Sequence, residues 1–187
     1  MKNVYESLDF LTQQELAMLD ELVSKQTAKV EDANLGRAVY TISLTDILAN
    51  SIHQKVQDIV GHVVPHLSSA VFVDYNARYG QPNLPPHFDG DNNSVIVDYQ
   101  YKSNTSWGLG VNTTVYEMQD NKAVIFNPNE YPHWRPHKTF DDGQYVTMGF
   151  FRFGGDQDYS SMRFSQDHEI FNEARNARDS YKISGNL

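Results

Sequence analysis

The period of the hydrophobic positions changes once along the chain, and that change predicts how the chain is organised. Leu16, Leu19, Leu22 and Val23 recur at helical spacing on one face. In front of them Thr12 and Glu15 stand at capping-box spacing, with Leu11 and Leu16 placed as a hydrophobic staple. Ile47, Leu48, Ile52, Val56, Ile59 and Val60 predict a second helix over 46–60, with Gly61 as its stop. A short β-prone run at 37–43 lies between the two.

From Ser68 onward the period shortens. Runs at 70–75, 94–101, 112–118, 123–126 and 145–153 are β-branched or aromatic and are separated by Gly, Pro, Asn and Asp clusters, which predicts five strands. A last helix is predicted over 166–179, with Ile170 and Phe171 among its few apolar anchors. Helices first and strands afterwards imply an α+β fold in one domain, residues 1–187. It would comprise a helical region (about 1–66), a strand-built sandwich or barrel (about 68–153) and a polar tail (about 154–187).

Composition narrows the chemistry. The 187 residues include no cysteine, which excludes disulfides, iron–sulfur clusters, thiolate zinc sites and cysteine nucleophiles. Any metal must therefore be held by histidine and carboxylate, a donor set that suits iron(II), manganese or zinc. The net charge of −9 argues against nucleic acid as a partner. No run approaches the roughly 18 apolar residues of a membrane span. The opening MKNVYESLDFL lacks the apolar core of a secretory signal, so a cytoplasmic location is expected.

The informative stretch is Pro86-His87-Phe88-Asp89. In an extended segment residues two apart point the same way, so His87 and Asp89 can share an ion while Phe88 faces away. That is two-thirds of a facial triad of two histidines and a carboxylate, which leaves open coordination positions. A His-X-Asp triplet alone is common by chance. The third ligand should come from a later strand, and both His133 and His137 follow the run at 123–126. Each read singly is an ordinary loop histidine. His62 and His66 are four apart, but Pro65 interrupts the helix that would pair them. Asp91 has the wrong spacing from His87. Neither a nucleophile-elbow serine nor a phosphate-cradling glycine loop is present.

Taken in order, four pieces resemble the catalytic core of prolyl 4-hydroxylase-type Fe(II)/2-oxoglutarate dioxygenases. They are Pro86-His87-Phe88-Asp89, Trp107-Gly108-Leu109-Gly110-Val111, Ala123-Val124-Ile125-Phe126 through Pro132-His133, and Gly143-Gln144-Tyr145-Val146-Thr147. The resemblance covers slightly under half the chain. It implies a double-stranded β-helix (jelly-roll) with the N-terminal helices supporting the larger sheet. It also implies Fe(II) on His87, Asp89 and His133, the last favoured over His137 by its spacing from Phe126. 2-Oxoglutarate and O2 would be cosubstrates, with ascorbate compatible as a reductant. The implied reaction is hydroxylation of a C–H bond with release of succinate and CO2. The substrate would be a prolyl residue in a peptide or protein, or a small molecule.

The chain departs from the family in one respect. An Arg or Lys roughly ten residues after the distal histidine usually holds the far carboxylate of 2-oxoglutarate, and here that place falls on Gly143 or Gln144. Arg135, two residues after His133, is the expected substitute, set against the alternative of a surface arginine beside Trp134; Arg152 and Lys138 are the reserves. Among Tyr75, Tyr99 and Tyr101, Tyr99 is the expected hydroxyl donor to the cosubstrate, although sheet aromatics are common without such a role. Two rival readings stand beside this one. The first is a cupin-like metalloenzyme that does not use 2-oxoglutarate, and the second a non-catalytic jelly-roll binding module.

Overall fold

Side chains of the long strands alternate between two apolar surroundings, and this alternation builds the molecule in layers. In the computed structural model, which describes residues 4–89, 93–154 and 168–184, ten strands and three helices are seen. Seven strands make one antiparallel sheet: β1 (Val4–Ser7), β2 (Val30–Asp32), β3 (Arg37–Thr41), β4 (Leu67–Asn76), β5 (Asn93–Ser103), β8 (Lys122–Phe126) and β10 (Tyr145–Gly154). Their order is β1-β8-β5-β10-β4-β3-β2. The smaller sheet runs β7-β6-β9, from Thr114–Tyr116, Leu109–Val111 and His133–Trp134.

On β5, Val95, Val97, Tyr99 and Tyr101 face the helices, while Ile96 and Asp98 face the space under the smaller sheet. Helices α1 (Gln13–Ser24) and α2 (Asp46–Val60) cover the first face. Leu19, Leu48, Ile52 and Val56 are fully buried there with Phe72, Phe151 and Phe153. Each such aliphatic side chain contributes on the order of 1.5–3 kcal/mol. Two sheets facing each other, with the larger one buttressed by the N-terminal helices, make the expected jelly-roll. No helix among the described residues is long and apolar enough to cross a membrane.

The structure differs from the sequence expectation at several points. Ile47 is 74% exposed, because one turn on it aligns with Ser51 rather than with the buried row Leu48, Ile52 and Val56. Within the run at 112–118 only Thr114–Tyr116 is strand. The chain reverses at Asn112, whose φ of 53° lies in the left-handed region that asparagine tolerates, so β6 and β7 form a hairpin. Strands β1 and β2 were not predicted; both are short strands at the edges of the large sheet. The last helix, α3, spans Glu169–Ser184, with Phe171 and Ala174 buried and Ile170 only half-buried. Asp91 and residues 155–167 lie outside the described residues.

The capping box forms as the sequence predicts. The Thr12 hydroxyl accepts from the Glu15 amide, and Glu15 Oε2 accepts from the Thr12 amide at 2.7 Å. Glu15 also receives Lys55 and Ser51 from α2, so one carboxylate ties the two helices together. Burial would raise its pKa, but the hydrogen bonds from Lys55, Ser51 and Thr12 outweigh that and hold it at about 2, against an ordinary 4.5. A depressed carboxyl contributes stability that is complete above pH 4.5 and is lost as pH falls toward about 2. Glu15→Gln should therefore flatten the decline of Tm across that window, measured by circular dichroism. Thr12→Ala should cost about 1 kcal/mol in urea unfolding at neutral pH.

Candidate active site

The segment from Leu84 to Asp89 lies beside β9 and extends the smaller sheet. His87 and His133 exchange backbone hydrogen bonds at 3.1 and 3.0 Å, Arg135 N donates to Leu84 O at 3.0 Å, and Asp89 N donates to Pro128 O at 3.2 Å. Alternation then sends the His87 and Asp89 side chains inward and Phe88 outward, where its ring meets Phe171 of α3 at 4.8 Å. One ligand atom from each of His87, Asp89 and His133 lies within 4.8 Å of the others. His133 Nε2 is 3.4 Å from Asp89 Oδ1. His137 is not part of this cluster; with Lys138 and Tyr181 it lines a separate polar cavity.

Hydrogen bonding fixes which ring nitrogens face inward. His87 Nδ1 is 2.7 Å from Pro85 O, and His133 Nδ1 is 3.3 Å from Tyr131 O. A carbonyl oxygen only accepts, so each Nδ1 carries the proton and each Nε2 presents a lone pair. Burial, followed by the neighbouring His133, holds His87 at about 4, so it is neutral at physiological pH. For Asp89 burial acts upward, but the adjacent His133, followed by the charge of Arg152, outweighs it and holds the carboxyl at about 2. Its Oδ2 is buried with no hydrogen-bond partner among the described residues. An ionised oxygen left so is costly, and a divalent cation is the partner that satisfies it together with two imidazole lone pairs. The residues present therefore fit a metal of the iron(II), manganese or zinc kind.

The cavity in front of this cluster carries three arginines in different situations. Arg135 is buried, and its fork is taken: NH2 donates to both oxygens of Asp98, at 2.6 and 2.8 Å, and NH1 to Gly108 O at 3.2 Å. Burial pushes the Asp98 carboxyl up, and Arg135 pulls against it. Arg152 stands on β10 opposite Ile96, close enough for its charge to act on Asp89. Arg37, at the start of β3, lies close enough to the buried Tyr75 hydroxyl for its charge to act on it, and 3.5 Å from Asp32. Lys138 is elsewhere, bonded to Thr105.

Tyr99, the tyrosine expected at the site, lies on the other face of the large sheet. It packs against Phe10 and Phe151 and donates to Asn121 Oδ1 at 3.1 Å. Tyr75 is the tyrosine that lines the cavity. The parity of β5 sets Tyr99 on the helix side once Asp98 faces inward, and no local pattern announces that parity in a strand apolar on both faces. Asp98 did carry a signal: a lone acid inside an apolar run needs a buried partner. Arg37 carried none, because it opens a short strand far from the motif.

Comparisons with known proteins bear on the fold. No family model matches the chain, and no curated protein matches it. Solved structures do. An oxidoreductase of the 2OG-Fe(II) oxygenase family from Burkholderia pseudomallei superposes with a TM-score of 0.60 at 10% identity, over 81% of this chain and 85% of that one. A Pseudomonas putida prolyl-4-hydroxylase gives 0.53 at 12% identity, over 83% and 94%. A Trichoplax adhaerens prolyl hydroxylase, in complex with a peptide fragment of the hypoxia inducible factor oxygen degradation domain, gives 0.55 at 12%, over 82% and 84%. The chain has the 2OG-Fe(II) oxygenase fold.

Within that oxygenase fold, the smaller sheet is seated by a contact that leaves no slack. Gly110 pairs with Trp134, and a Cβ at position 110 would lie 2.1 Å from Trp134 Cε2. The indole is buried and anchored by Nε1 donating to Asn112 O at 2.8 Å, so it cannot swing aside. Gly110→Ala must move Trp134, and with it the adjacent His133. It should cost about 1–3 kcal/mol of stability in chemical denaturation, and it should weaken divalent-metal uptake in calorimetry relative to wild type.

Proposed function

We propose that the chain is an Fe(II)- and 2-oxoglutarate-dependent oxygenase that hydroxylates a C–H bond, with His87, Asp89 and His133 as the metal ligands. The observation that carries this reading is the inward-facing cluster of two imidazole lone pairs and one unsatisfied carboxylate oxygen, set in an oxygenase fold. Bound iron with 2-oxoglutarate would supply the oxidising power, one oxygen atom of O2 entering succinate as CO2 leaves and the other entering the substrate C–H bond. The chain's own residues hold the donors in place, keep His87 neutral and Asp89 ionised, and exclude water with Val71, Val73, Leu84, Ile96 and Leu109. A prolyl residue in a peptide is the substrate class placed first, supported by the named activity of the Pseudomonas putida and Trichoplax adhaerens structures and by the peptide bound in the latter.

The far carboxylate of 2-oxoglutarate needs a cation, and the Asp98 pair leaves Arg135 poorly placed to serve. Arg37, with the Tyr75 hydroxyl beside it, is the better candidate in the same cavity. The two arginines should behave differently when removed. Arg37→Ala should raise the 2-oxoglutarate concentration needed for turnover at least tenfold while leaving the protein folded. Arg135→Ala should strand Asp98 and destabilise the protein by about 3–5 kcal/mol. An Arg135→Ala protein of full stability with a raised cosubstrate requirement would return the role to Arg135.

A second reading, a metalloenzyme of the same fold that does not use 2-oxoglutarate, is favoured by that one filled arginine fork. Anaerobic titration with Fe(II) and then 2-oxoglutarate separates the two readings. A weak visible charge-transfer band that requires both additions supports the oxygenase, and His87→Ala or Asp89→Ala should abolish it. Iron uptake without the band favours the second reading. Failure to take up any divalent metal overturns both.

A further inference from the structure

The geometry points to α3 as a positioning element for the metal ligands, with Phe171 acting through Phe88; this inference rests on the metal reading above. Among the described residues, the segment carrying His87 and Asp89 exchanges backbone hydrogen bonds with His133, Arg135 and Pro128. Pro85 and Pro86 fix the backbone only on the approach to His87, and Phe88, sitting between the two candidate ligands, points away from them. Phe171, 3% exposed, meets the Phe88 ring at 4.8 Å and 74°, an edge-to-face contact. Two turns further along α3, Arg178 Nε donates to Arg135 O at 3.1 Å, on the chain that has just delivered His133. Arg178 is itself buried. One rigid helix therefore touches both ligand-bearing segments from outside: the His87–Asp89 segment at Phe88 and the His133 segment at Arg135. A further polar anchor, Tyr181 to Glu117 at 3.1 Å, lies away from the candidate ligands.

A helix fixed to both segments sets the spacing between them. Ligand support of this indirect kind commonly changes metal affinity by 10–100-fold. Phe171 is thus a positioning residue, since it touches neither the metal nor any reacting atom. Because Phe88 and Phe171 act through one contact, their removal should not be additive.

The test is calorimetric titration of the full chain with Mn(II), at a temperature where circular dichroism shows every variant folded. Phe171→Ala and Phe88→Ala should each weaken Mn(II) binding about tenfold. The double variant should bind no more weakly than either single one. Phe171→Leu, which keeps apolar contact with Phe88, should recover most of the affinity, and Tyr181→Phe should leave it unchanged. Should Phe171→Ala not fold, Phe171→Val gives the same comparison with a shorter side chain. Folded Phe171 variants with wild-type affinity, or losses that add in the double variant, overturn the inference while wild-type binding leaves the metal site standing. A wild-type chain that takes up no Mn(II) overturns the metal reading and this inference with it.

Discussion

Two reciprocal backbone hydrogen bonds between His87 and His133 govern the geometry of the candidate site. A hydrogen-bonded antiparallel pair fixes its two Cα atoms at about 5.5 Å, so the bridge sets the separation of two candidate ligands that lie far apart in sequence. It also sets the facing of everything nearby. A slip of one residue would turn Phe88 inward and carry His87 and Asp89 out to the α3 side. Register is held from both ends, by Leu84 with Arg135 and by Asp89 with Pro128. The fit of Trp134 over Gly110 locks β9 against β6 in the same register.

The second constraint joins the two sheets across the cavity. Asp98 stands in the middle of the large sheet, and Arg135 follows β9 of the small one. Their buried pair, in which one guanidinium nitrogen donates to both carboxylate oxygens, spans the gap. Such a pair contributes little net stability against an apolar replacement, but it costs several kcal/mol to break from one side. Its main effect is on geometry: with NH2 donating to Asp98 and NH1 to Gly108 O, one guanidinium ties the two sheets together beside the candidate ligands. That pairing engages Arg135, and under the proposed function it moves attention to Arg37 and Arg152 in the same cavity.

Much of this was legible in the sequence, for identifiable reasons. The helix over 46–60 and its Gly61 stop, the capping box at Thr12 and Glu15, and the long strands all rest on local patterns, and the structure reproduces them. His87 and Asp89 were legible because a period of two in an extended segment is also local. What the sequence could not supply was the side of the sheet on which a two-faced apolar strand presents each residue. Tyr99 and Asp98 are adjacent and opposite, and only the packing of Tyr99 against Phe10 and Phe151 decides which one sees the cavity. Asn112 makes the start of the run expected at 112–118 a hairpin turn instead of strand, because one left-handed residue suffices to reverse the chain. Arg37 was invisible for a third reason: its place depends on β3 pairing with β4, a contact between segments with no shared motif.

The charge of the cavity is set independently of the charge of the chain. A net charge of −9 would repel a dianion at long range, but charges farther than about 8 Å are largely screened at physiological ionic strength. Inside the cavity three guanidiniums face two carboxylates among the described residues, and the walls are apolar. Charges there act through a lower effective dielectric, so the local surplus outweighs the surface. A divalent cation on His87, Asp89 and His133 would enlarge that surplus further. An acidic protein can therefore build a pocket that favours an anionic ligand, and the argument from net charge that disfavours polyanionic partners on the surface does not extend to a small dicarboxylate bound within the cavity.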